Sequence, residues 1–109
     1  MSNNEYKNLD QFIEEYRYDR DIFLEHYTGI EFKYNDKYFR LSHEYSNNNN
    51  SEVFKYYLYE IKDYKNDKIS YINIGKYRDL DEVLDNCLID GNKFKEIITN
   101  EKTIILGKD

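Results

Sequence analysis

With one cysteine, Cys87, the chain cannot close an intrachain disulfide. Secreted domains this small often depend on such bridges, so a reducing, cytoplasmic setting is expected. Glycine is also sparse. Gly29, Gly75, Gly91 and Gly107 are widely separated, whereas a phosphate-cradling loop needs several together so that backbone N–H groups can approach the anion. Gly75-Lys76 is therefore no P-loop, and nucleotide-dependent chemistry is not expected. The two histidines, His26 and His43, have no second His or Cys at the spacing that gathers metal ligands, so neither metal nor cofactor is assigned. No run approaches the roughly 18 apolar residues of a membrane span, and the mean hydropathy is −0.99, which excludes such a span. The opening MSNNEYKNLDQF lacks the basic start and apolar stretch of an export signal. Basic residues are outnumbered, 16 against 22 acidic ones, for a net charge of −6. That balance argues against direct binding to nucleic acid or anionic lipid and for a partner with a basic surface.

Proline, tryptophan and alanine are absent, while Tyr, Asn, Lys and Ile abound, a bias that follows AT-rich codons. It points to a low-GC bacterium or one of its phages or plasmids. The 13 tyrosines are read mainly as structural, because an amphipathic ring suits a half-buried strand. A length of 109 residues fits one domain with one core, 1–109.

Residues 1–8 read as a frayed end. Leu9, Phe12, Ile13 and Tyr16 then recur at helical spacing behind Asn8 as N-cap, with Asp10, Glu14 and Glu15 on the solvated side. Asp19 to Tyr27 reads as a second short helix stopped by Gly29. At Ile30 the period changes to two, and IEFKY with KYFRL forms a hairpin about Asn35-Asp36. Its register can be tested internally. Pairing Tyr34 with Lys37 brings Phe32 to Phe39, Glu31 to Arg40 and Ile30 to Leu41, which sorts apolar residues to one face and opposite charges to the other.

SNNNNS, residues 46–51, reads as a mobile loop, and VFKYYLYEIK beyond it as a long central strand with aromatics on both faces. ISYINIGKY returns as a fourth strand of an antiparallel meander. Asp79 and Glu82 have capping-box spacing, and Leu80, Val83, Leu84 and Cys87 mark one helical face, which turns Cys87 inward as an inert thiol. Asp90-Gly91 signals a turn, Phe94, Ile97 and Ile98 further helix, and TIIL a closing edge strand. The expected fold is a single α+β domain, an antiparallel meander of about four to five strands covered on one face by N-terminal and C-terminal helices.

Paired carboxylates, Asp19 with Asp21 and Asp79 with Asp81, fall at predicted helix starts. There they favour the helix dipole by a few tenths to about 1 kcal/mol, so no metal site is assigned. With no catalytic motif, the expectation is a non-enzymatic, protein-binding module. Asp79, Asp81, Glu82 and Asp85 form its candidate acidic face, and Tyr56, Tyr57 and Tyr59 are its candidate aromatic anchors. Its narrower form is an inhibitor of the anti-CRISPR, anti-restriction or toxin-immunity kind, blocking the basic surface of a nuclease or other nucleic-acid-binding protein. An RNA-binding sheet bearing Tyr56, Tyr57, Tyr59 and Tyr71 is disfavoured by the missing basic groove. The alternative class is a small ligand-binding or enzymatic domain with a pocket near His43 and Glu44 at a strand end. Assembly into a homo-oligomer through the TIIL edge fits either class.

Overall fold

A computed structural model describes residues 6–16, 29–43, 56–64 and 68–109. The segments expected to form the second helix and the Asn-rich loop lie outside the described residues, as do His26 and Glu44. Helix α1 (Leu9–Tyr16) starts as the sequence requires. Asn8 Oδ1 accepts from the Gln11 N–H at 3.1 Å, and Gln11 Oε1 accepts in return from the N–H groups of Lys7 at 2.8 Å and Asn8 at 3.3 Å. This satisfies donors that a helix start leaves without intrahelical partners. Phe12 and Tyr16 are buried, and Leu9 and Ile13 flank them. Tyr6 corrects the expectation of a frayed end at its described part. Its ring is buried edge-on against Phe12, with centroids 5.5 Å apart, and its hydroxyl donates to Glu15.

Strands β1 (Gly29–Tyr34) and β2 (Lys37–His43) pair in the expected register. Asn35 and Asp36 have φ of 50° and 62°, the left-handed pair that a two-residue hairpin loop needs to match strand twist. Gly29, expected as a helix stop, opens β1 instead. A Cβ there would collide with the Arg40 guanidinium, which lies across it to reach Asp109.

Strands β3 (Tyr56–Lys62) and β4 (Ser70–Tyr77) continue the meander, and β7 (Ile104–Lys108) returns to the far side of β1, giving the order β4-β3-β2-β1-β7. β3 is an interior strand, while β2 holds the centre. Helix α2 (Leu80–Asn86) and helix α3 (Phe94–Ile98) flank a two-stranded hairpin, β5 (Leu88–Ile89) with β6 (Asn92–Lys93), turned by Asp90 and Gly91 at positive φ. The turn was legible in the sequence, but the two short strands were not. Asp90 clamps the β1–β2 turn by accepting from Lys37 Nζ at 3.0 Å and Asn35 Nδ2 at 3.2 Å.

Ile30, Phe32, Phe39, Leu41 and Leu58 form the sheet side of the core, and Phe12, Tyr16, Val83, Leu84, Phe94, Ile97 and Ile98 the helix side. Burying each of the larger side chains contributes about 1.5–3 kcal/mol. Thr103 is fully buried, and its hydroxyl donates to the Ile97 carbonyl at 2.6 Å, which fixes the approach to β7. The chain is a single α+β domain: an antiparallel five-stranded sheet with helices of the N- and C-terminal regions on one face.

Candidate functional site

The acidic start of α2 is built mainly by capping. Asp79 is the N-cap, accepting from the Glu82 N–H at 2.8 Å, and Glu82 accepts from the Arg78 N–H at 3.1 Å. The reciprocal bond therefore reaches one residue before the cap. Asp85 pairs with Lys95 at 3.0 Å. Asp79, Asp81 and Asp85 are exposed, yet the cap made by Asp79 and the pair made by Asp85 are structural tasks that account for their presence.

The candidate tyrosines separate. Alternation along β3 turns Tyr56 and Leu58 toward the helices, and Tyr57, Tyr59 and Ile61 to the opposite face. Tyr56 is 1% exposed, with its hydroxyl donating to the Tyr16 carbonyl at 2.8 Å, so it is a core residue and not a surface anchor. Tyr57 and Tyr59 are half-buried on the outer face, in rows with Ser42 and Lys76 and with Arg40 and Asn73. Tyr71 joins them. Its ring meets Tyr59 edge-on at 6.3 Å, and its hydroxyl donates to Glu31 Oε1 at 3.4 Å. Desolvation and the neighbouring Glu31 carboxylate raise that hydroxyl above the usual tyrosine range. At the end of the same face Tyr38 stacks on Tyr64 at 4.4 Å, and Lys33 sits 5.6 Å over the Tyr38 ring.

Strand β4 is largely exposed. Among the described residues it pairs with β3 alone. Ile69 is 44% exposed, Tyr71 50%, Ile72 47% and Ile74 46%. Register explains why both faces contribute. Tyr71 lies opposite Ile61 on the outer face, Ile72 lies opposite Glu60 on the helix face, and the ladder shifts between Leu58 and Tyr59, leaving Ile74 without a Cα partner. The Tyr77 end of β4 is anchored beside the helices, since Tyr77 packs against the core. Gly75 makes room for that ring, because a Cβ there would collide with it. The result, among the described residues, is an apolar, singly paired sheet edge, which sequence alternation alone could not single out because it reports faces and not edges.

Among the described residues the other candidate groups stand apart, and Glu44, expected beside His43, lies outside them. His43 lies flat on Tyr56, with centroids 4.7 Å apart. One cleft, of about 340 Å³, lies at the other end of β2, lined by Asp36, Lys37, Tyr38 and residues 60–64. Burial pushes the Cys87 thiol up, against the hydrogen bond from Tyr77, which makes it a poor nucleophile. Among the described residues no three His, Cys, Asp or Glu side chains stand together as a metal site, and no helix is long and apolar enough to cross a membrane.

Fold and surface together define an α+β sheet domain with one helix-covered face, whose candidate site is a sheet edge and the aromatic face beside it. No family model matches the chain, and comparison with curated proteins and with solved structures gives no match.

Proposed function

We propose that this chain is a non-enzymatic protein-binding module that engages its partner through β4 and the adjoining tyrosine face. The observation that carries the reading is the group Tyr71, Ile72 and Ile74, each about half exposed on a strand that among the described residues is paired on one side, with Ile69, 44% exposed, just before it. An open edge offers a line of backbone donors and acceptors to an added strand, and apolar side chains on both faces supply the contact area. Exposed apolar groups grouped in this way mark interaction surfaces, whereas singly scattered ones do not.

A second reading keeps the acidic side of α2 as the contact. Asp79, Asp81 and Asp85 are exposed on one short helix of a chain with net charge −6. Such a surface suits a basic partner, and an inhibitor that blocks a nucleic-acid-binding protein is its concrete form. Photo-crosslinking separates the two. Benzoylphenylalanine is placed at Tyr71 in one variant and at Asp81 in another, and both are irradiated in the cells that make the protein. A partner captured from position 71 and not from 81 supports the β4 reading. Capture from 81 alone moves the contact to α2, and capture from neither sinks the binding-module proposal.

A further inference from the structure

We infer that Asp90-Gly91 is a site of spontaneous isomerisation to isoaspartate, held in check by the side chains of Lys37 and Asn35. The glycines of the chain follow Thr28, Ile74, Asp90 and Leu106, so Asp90 alone among its acids and amides has glycine after it. Glycine has no side chain to shield its own nitrogen. Among the described residues nothing lies within 4 Å of where a Cβ on Gly91 would stand, and both residues are exposed to water.

The reaction needs only water. The Gly91 nitrogen attacks Cγ of Asp90, a C–N bond forms, and the nitrogen's proton leaves with a carboxyl OH as water. Water then opens the succinimide ring at the backbone carbonyl of Asp90, so that the chain runs on through Cγ and the former backbone carbon becomes the free carboxyl. Mass is unchanged, but one methylene has entered the backbone. A two-residue hairpin loop has no slack for it, and the carboxyl that joined Lys37 and Asn35 has been consumed.

The folded chain opposes the first step in two ways. Asp90 and Gly91, with φ of 53° and 83°, form the left-handed loop of the β5–β6 hairpin, and swinging the Gly91 nitrogen towards Cγ rotates Asp90 out of that turn. Lys37 Nζ holds one carboxylate oxygen at 3.0 Å and Asn35 Nδ2 the other at 3.2 Å. Those bonds also keep the carboxyl below its ordinary value of 3.8, in the charged form that a nucleophile attacks poorly. Both donors belong to the β1–β2 turn, so the restraint is lost whenever the β5–β6 hairpin lifts away from it.

Incubating the full chain at neutral pH tests the inference. The product is read by mass spectrometry as a peptide of unchanged mass that an aspartate-specific endoproteinase no longer cuts before residue 90. Wild type in urea sets the unrestrained rate, and native wild type is expected to react roughly tenfold more slowly or less. The double variant Asn35→Gly, Lys37→Ala keeps a residue that accepts positive φ at position 35. It is expected to form the product about two- to fivefold faster than native wild type, the range expected from loss of an exposed pair. Lys37→Ala alone should give a smaller acceleration. Tyr56→Phe loosens the core elsewhere and is expected to leave the rate at its wild-type value. Equal rates in wild type and both Lys37 variants would overturn the restraint, as would an equal acceleration by Tyr56→Phe. No product even in urea would overturn the site itself.

Discussion

Tyr56 and Tyr57 are chemically identical neighbours on β3 with opposite fates. Alternation sends Tyr56 to the helix side, where its hydroxyl meets the carbonyl of Tyr16 at 2.8 Å. That carbonyl ends α1, where the last turn leaves acceptors without intrahelical donors. Tyr56→Phe strands a buried acceptor and is expected to cost about 1–2 kcal/mol in urea unfolding. Tyr57→Phe is expected to cost less than about 0.5 kcal/mol, and equal losses would refute this assignment. The grouping of Tyr56 with Tyr57 as anchors came from composition, while the period-two pattern already set them on different faces. Which half-polar ring enters the core depends on an acceptor contributed from elsewhere in the chain, and local periodicity does not carry that.

At the scale of elements, local chemistry was the most legible. The Asn8 cap, the Asp79–Glu82 pairing and the β1–β2 register each depend on residues close in sequence, and each is present. Asp79→Ala is expected to cost about 1 kcal/mol through loss of the α2 cap, and Asp81→Asn only a few tenths, by thermal or urea melts. Equal costs would mean that α2 is held by its acids collectively and not by the cap. The ladder shift in β3–β4 and the short β5–β6 pair were not legible, because they answer to packing between elements. On β4, Ile72→Thr with Ile74→Thr keeps strand propensity while removing exposed apolar area. Stability is expected to change by less than about 1 kcal/mol, with lower retention on a hydrophobic column. A larger loss would show that these isoleucines belong to the core.

Across the whole molecule, titration should frame a broad plateau of stability. Burial and, for Tyr6, the bond to Glu15 raise the hydroxyls of Tyr6 and Tyr77 above the ordinary value of 10.0. Their contribution is complete below that value and is lost as pH rises past it, because folding then holds groups neutral that the unfolded chain ionises. At the other end, bonds from Lys37 and Asn35 lower the Asp90 carboxyl from 3.8. Its contribution is present above that value and fades as pH falls through the depressed one. Melting temperature against pH should show a shallower alkaline limb for Tyr6→Phe and a shallower acid limb for Asp90→Asn. Wild-type slopes in both variants would contradict these assignments. The meander order was readable because successive strands neighbour one another. The docking of β7 beside β1 was not, since an edge can be extended on either side and long-range pairing leaves no local mark.

That docking has a consequence during synthesis. β1 acquires its outer neighbour only when residues from 104 onward have left the ribosome, long after the β1–β2 hairpin can close. The nascent chain therefore passes through an interval with two open edges among its described strands, one at β4 and one at β1 that β7 then seals.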